Sequence, residues 1–204
     1  MSLRRDTFLW GLLVGVMVGL SAALVGLHVA HRHAETPLPL YGEVPAFEFV
    51  DHRTQPLRLD DLRGRVWVAD FIFSRCGGQC PTMTEAMKTL QTEFASQLQL
   101  ISFTVDPLWD TPERLAQYAA RVEARDGWHF VTGPEALLHR LATEGFRLSA
   151  ARASDDGAEP IAHSVRLSLV DRRGHIRGYY DGTDPAAREQ LRRDIKRLLR
   201  ERAS

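Results

Sequence analysis

The stretch "DFIFSRCGGQCPTMTEAMKTL" (Asp70–Leu90) passes from an apolar segment, through both cysteines of the chain, into a helical pattern. The apolar start belongs to "RVWVADFIF" (Arg65–Phe73), β-branched and aromatic, which predicts a strand buried on both faces. Met83, Met87, Leu90 and Phe94 recur at helical spacing after the cysteines. A strand that ends in a cysteine loop and restarts as a helix makes this loop the centre of the fold. Its two cysteines, Cys76 and Cys80, have three residues between them, one more than a thioredoxin-type redox pair.

Outward from that unit the pattern alternates. "AFEFVD" and "PLRLDDL" precede it as short strands or a hairpin. "LQLISFTVD" is a second buried strand. "TPERLAQYAARVEA" is a helix with Thr111 as N-cap and Pro112 at its first position. "WHFVTG" is a short strand, and "PEALLHRLATEGF" a helix ending at Gly145. "SVRLSLVDRRGHIRGYYDG" reads as a hairpin with a glycine-containing turn. The last helix takes Asp184 as cap and Pro185 as first residue, with Ala187, Leu191, Ile195, Leu198 and Leu199 as its apolar stripe. Strands apolar on both faces need helices on both faces, so the chain is an α/β sandwich. The order fits a thioredoxin-like fold with N-terminal strand additions and a late hairpin; another doubly wound α/β domain is the alternative. There is no internal repeat and no low-complexity tract.

The chain has 204 residues, with 26 basic against 26 acidic. That balance gives no basic footprint for nucleic acid. "FLWGLLVGVMVGLSAALVGLHVA" (residues 8–30) contains no Asp, Glu, Lys or Arg. As a helix it spans roughly 34 Å, enough for a bilayer core. Arg4 and Arg5 precede it, which places residues 1–7 in the cytoplasm. The run is long for a signal peptide and no small-residue cleavage site follows it, so an uncleaved anchor is expected. Residues 31–44, polar and proline-punctuated, read as a linker, and residues 45–204 as the domain. The expected location is the bacterial inner membrane, single-pass, with the domain in the periplasm. An exposed dithiol in such an oxidising compartment closes unless a metal or a reductant protects it.

Pro81 follows Cys80, which makes Cys80 the expected N-cap of the helix; a capping box of Thr82 and Glu85 would start it two residues later. Either start puts Cys80 at the positive end of the helix dipole, which favours thiolate. Gly77 and Gly78 let the loop fold back. The pair can therefore close as a disulfide or open to chelate an ion. Two thiolates alone suit a copper site of both oxidation states poorly, and an imidazole completes the set. Of eight histidines, His163 is best placed, at the mouth of the late hairpin; a hydrogen-bonded core histidine is the alternative.

Together, "FIFSRCGGQCPTM", "FTVDPLWDTPERLAQYA", "HFVTGPEALLHRLA" and "AHSVRLSLVDRRGHIRGYYDG" resemble the successive blocks of the Sco/SenC family, from about Tyr41 to the end. These are membrane-anchored, thioredoxin-fold copper proteins that help assemble the copper centre of cytochrome c oxidase. The resemblance implies that Cys76, Cys80 and His163 bind one copper ion, Cu(I) or Cu(II). It implies, as partners, the copper-receiving oxidase subunit and another periplasmic copper chaperone. The chain departs from the family at Gly77 and Gln79, where proline and an acidic residue are common, and at Ala162, where an acidic residue commonly precedes the histidine.

Other readings stand beside this one. The same cysteines suit a thiol–disulfide reductase that keeps a partner's copper-ligand cysteines reduced, in which case Cys76 and Cys80 are redox-active. A peroxidase of the same fold has only Arg75, Gln79 and Trp109 in its favour. Met83 and Met87 read as core rather than copper donors. His28, His31 and His33 read as a solvated tail. Asp106 and Asp110 read as turn and capping residues before Pro112, and Asp155 and Asp156 as a solvated loop or a mobile docking surface leading to His163.

Overall fold

Seven residues in a row, Val66–Ile72, are buried, and so are seven more, Leu98–Thr104. These two strands, β4 and β5, lie parallel at the middle of an eight-stranded mixed sheet. The computed structural model describes residues 10, 14–26, 37–75, 80–148 and 165–201. Its sheet has the order β1-β8-β7-β4-β5-β6-β2-β3, with β1 Gly42–Glu43, β2 Glu48–Asp51, β3 Pro56–Arg58, β6 Trp128–Thr132, β7 Arg166–Val170 and β8 His175–Asp181.

Alternation along β4 divides the core. Val66, Val68 and Ile72 face a layer built from α2 (Cys80–Phe94), α3 (Pro112–Arg121) and α5 (Pro185–Arg200). Met83, Met87, Leu90 and Phe94 are all buried there, as the helical spacing predicts for core residues. Leu191, Ile195 and Leu198 of the last helix join them. Each such large side chain removed from water contributes roughly 1.5–3 kcal/mol. Trp67, Ala69 and Phe71 face the other layer, made by α1 (Leu59–Leu62) and α4 (Glu135–Arg140), which runs on as a π-helical turn over Leu141–Gly145.

The helix starts follow the expected chemistry. Thr111 caps α3 by accepting from the Arg114 N–H, and Asp184 caps α5 by accepting from the Ala186 N–H at 2.9 Å. Pro112 and Pro185 stand in the first turns. The late hairpin is β7–β8, and Gly174 closes its turn at φ +87°, a conformation that glycine adopts without strain.

Three local expectations change. The segment "PLRLDDL" is not strand throughout: β3 stops at Arg58, and Leu59–Leu62 turns into a helix. The Asp61 carboxylate accepts the Arg58 N–H at 2.8 Å, which caps that turn. Cys80 is the first helical residue of α2 rather than its N-cap. Leu38 and Val44 are buried and β1 pairs with β8, so residues 38–44 of the expected linker pack into the domain.

The chain divides into two compact units, Met1–Pro37 and Leu38–Ser204. In the first, residue 10 and residues 14–26 are helical. No helix among the described residues is long and apolar enough to cross a membrane. The rest of the expected span 8–30, with His28, His31 and His33, lies outside the described residues.

Candidate functional site

β4 delivers the chain to the cysteine loop, and the residues after β5 grip it there. Ser74, two residues before Cys76, donates its N–H to the Asp110 carboxylate at 3.1 Å and its hydroxyl to the same group. Thr104, at the end of β5, donates its hydroxyl to Asp110 at 2.6 Å. Asp110 is fully buried. Asp110 is thus not a helix cap but the internal anchor of the loop's leading edge. A buried carboxylate requires such donors, because an unpaired one carries a desolvation cost of several kcal/mol.

Asp106 is used twice. Its carbonyl closes a turn by accepting from the Trp109 and Asp110 N–H groups, which is the turn role expected. Its carboxylate accepts from Arg75 at 2.7 and 2.8 Å. Arg75 also lies 4.9 Å from the Trp109 ring centroid, and Arg114 stacks on that ring at 3.7 Å. Arg121 donates to the Ser74 carbonyl at 3.3 Å. Ser74 and Arg75 are therefore held from three directions: by Asp110, by Asp106 and by α3. Between α2 and α3 a shallow cleft opens beside them, lined by Ser74, Arg75, Thr84, Lys88, Tyr118 and Arg121. At its floor the Thr84 and Tyr118 hydroxyls share a 2.7 Å hydrogen bond.

The sheet register brings a second segment to the same edge. β7 runs antiparallel to β4, with Ala69 opposite Ser168 and Trp67 opposite Val170. The first residue of β7, Arg166, thus lies at the edge of the sheet where β4 ends. The chain arriving at Arg166 enters the sheet where the cysteine loop leaves it.

Of the expected ligands, the backbone of Cys80 opens α2. Cys76 and His163 lie outside the described residues, as do Gly77, Gln79, Ala162, Asp155 and Asp156. Among the described residues no three His, Cys, Asp or Glu side chains come together as a metal site. Met83 and Met87 are core.

One acid escaped the reading of the sequence. Asp70, in the middle of β4, is 1% exposed, and neither of its carboxylate oxygens has a hydrogen-bond partner among the described residues. Burial pushes its carboxyl up to about 7; Ser102, its neighbour on β5, offsets only part of this. The signal was present as a lone carboxylate inside an otherwise apolar strand.

The fold is a mixed α/β sandwich with its cysteine loop between the central strand and the helix that follows, as in thioredoxin-like Sco structures. The chain belongs to the SCO1/SenC family, whose profile matches residues 39–200. It is 32% identical over 187 residues to the SCO1 protein homolog of Bacillus subtilis strain 168, covering 89% of this chain and 96% of that one. It is 32% identical over 167 residues to a protein of Stutzerimonas stutzeri named for copper binding, with 79% of each chain covered. Among solved structures it resembles BsSco, a member of the Sco family of cytochrome c oxidase assembly proteins in which a disulfide switch was identified. The TM-score is 0.70 at 30% identity, with 82% of this chain and all of that chain covered.

Proposed function

We propose that this chain is a membrane-anchored periplasmic copper chaperone that holds one copper ion on Cys76, Cys80 and His163. Its recipient is the copper-receiving subunit of cytochrome c oxidase, and another periplasmic copper chaperone is its source. The observation that carries this reading is the shared sheet edge of β4 and β7. His163 stands three residues before Arg166, a covalent reach of at most about 11 Å from the strand that borders β4. Two thiolates and an imidazole form a soft donor set that suits copper in both oxidation states. The kinship to a protein named for copper binding and to a family of oxidase assembly proteins supports the same cargo and the same recipient. Residues 8–30 supply the anchor in this reading, with the N-terminus inside.

Anaerobic copper titration of the full chain tests it. The expected result is one copper per chain, with binding greatly weakened in Cys76→Ala and in His163→Ala. Unchanged affinity in both variants would sink the site.

A second reading uses the same cysteines as a thiol–disulfide reductase acting on the oxidase copper-ligand cysteines. The likeness to BsSco, with its disulfide switch, favours a redox-active pair. Reduction of a disulfide-bearing partner peptide that persists in His163→Ala but stops in Cys76→Ala separates this activity from copper delivery.

A further inference from the structure

Two hydroxyls on the late hairpin are shielded from water and lack a partner. Tyr179 of β8 stands opposite Ser168 of β7, so both side chains leave the same face of the sheet. Tyr179 packs there against the layer to which α4 and its π-helical turn contribute Leu138, Leu141 and Ala142. Neither hydroxyl has a hydrogen-bond partner among the described residues. Buried hydroxyls are bonded as a rule, because nothing else replaces the water they lose on folding.

Cations gather around Tyr179. The Arg166 guanidinium lies over its ring, 5.9 Å from the centroid. Arg147 reaches across β1, where its guanidinium would stand 3.5 Å from a Cβ placed on Gly42. Tyr41, the residue before Gly42, meets Tyr179 edge-on with ring centroids 5.3 Å apart. Burial pushes the Tyr179 phenol up, and Arg147 and Arg166 are the nearby charges that pull against this. The phenol therefore stays protonated at neutral pH, a donor with no acceptor. Arg147 itself sits at φ +51°, a left-handed conformation that residues other than glycine rarely adopt. Asp181, registered opposite Arg166, already accepts the Thr183 N–H and hydroxyl on one of its oxygens.

We propose that Arg147, Arg166 and the Tyr179 hydroxyl form a binding site for a small oxyanion, a carboxylate or a phosphate. The oxyanion supplies the acceptor that the Tyr179 hydroxyl lacks. Its negative charge meets two guanidiniums, whose forked N–H groups match the paired oxygens of either ion. The Tyr41 ring walls one side. The three groups come from different parts of the chain: Arg147 follows α4 and its π-helical turn, Arg166 opens β7, and Tyr179 belongs to β8. The site shares no residue with the proposed copper ligands, so it stands or falls apart from the copper reading.

The test titrates the full chain in detergent with sodium acetate and, separately, with sodium phosphate, at an ionic strength held constant with chloride. Calorimetry gives the affinity, and the NMR signals of the arginine Nε–H groups report where the ion sits. Saturable binding is expected with at least one of the two ions, moving the Arg147 and Arg166 signals together. Saturation by acetate assigns a carboxylate, as an acidic side chain of a partner would supply. Saturation by phosphate alone assigns a free tetrahedral ion. Arg147→Gln and Tyr179→Phe are each expected to weaken binding at least about tenfold. Arg147 is exposed and Tyr179→Phe keeps the ring, so neither substitution opens the core. Saturation by neither ion, or wild-type affinity in both variants, overturns the site.

Discussion

Asp110 and Asp70 are both buried acids, and their surroundings give them opposite characters. Asp110 collects donors from Ser74 and Thr104. Replacing it with alanine leaves those donors buried and unmatched, at a cost of about 3 kcal/mol in urea unfolding. The same substitution frees Ser74, so copper affinity is expected to fall with stability. Asp70 has no such set of donors among the described residues, and burial, only partly offset by Ser102, raises its folded carboxyl from 3.8 to about 7. The folded state therefore binds the extra proton. The contribution of Asp70 to stability is fully present below about pH 4, is lost as pH rises to about 7, and is level above that. Asp70→Asn removes this dependence. Its stability relative to the wild-type chain is expected to grow by up to about 4 kcal/mol from acid to neutral pH. Parallel unfolding curves at pH 4 and pH 8 check the sign.

At the scale of elements, α2 tests the division between core and ligand. Met83→Ala is expected to cost about 2–5 kcal/mol by opening a cavity. Copper stoichiometry in the same variant is expected to stay unchanged, since Met83 is packed inside the helix–sheet layer. Thr111→Ala should cost about 1 kcal/mol by removing the cap of α3, visible in thermal unfolding. Elements of this kind were legible because their signals are local. Apolar runs predict β4 and β5, and Thr111–Pro112 and Asp184–Pro185 mark helix starts. The turn Leu59–Leu62 was not legible, since its cap depends on Asp61 reaching back to the Arg58 N–H. Nor was the anchoring role of Asp110, because its partner Ser74 is 36 residues away. His163 was singled out by its place before the late hairpin and by family resemblance; it lies outside the described residues, and the register of β7 on β4 describes only the strand that follows it.

For the whole molecule, the β7–β8 hairpin ties the two ends of the domain together. Arg177, nearly buried, donates to Asp171 at 2.9 Å and to the Leu38 carbonyl at 2.9 Å. Arg172 donates to the Leu198, Leu199 and Glu201 carbonyls that end α5. Arg177→Met leaves Asp171 with only the Arg173 and His175 N–H donors on one oxygen and no guanidinium on the other, and it releases the Leu38 carbonyl. The expected loss is about 3 kcal/mol, with faster amide exchange at Tyr41 and Val44, whose N–H groups pair with Ile176 and Gly174. The margins of the sheet have a different consequence. One outer strand, Gly42–Glu43, has two residues; the other, Pro56–Arg58, has three and begins with proline. Neither presents a length of free backbone on which another chain can register, so these margins resist fibrillar self-association at high local concentration.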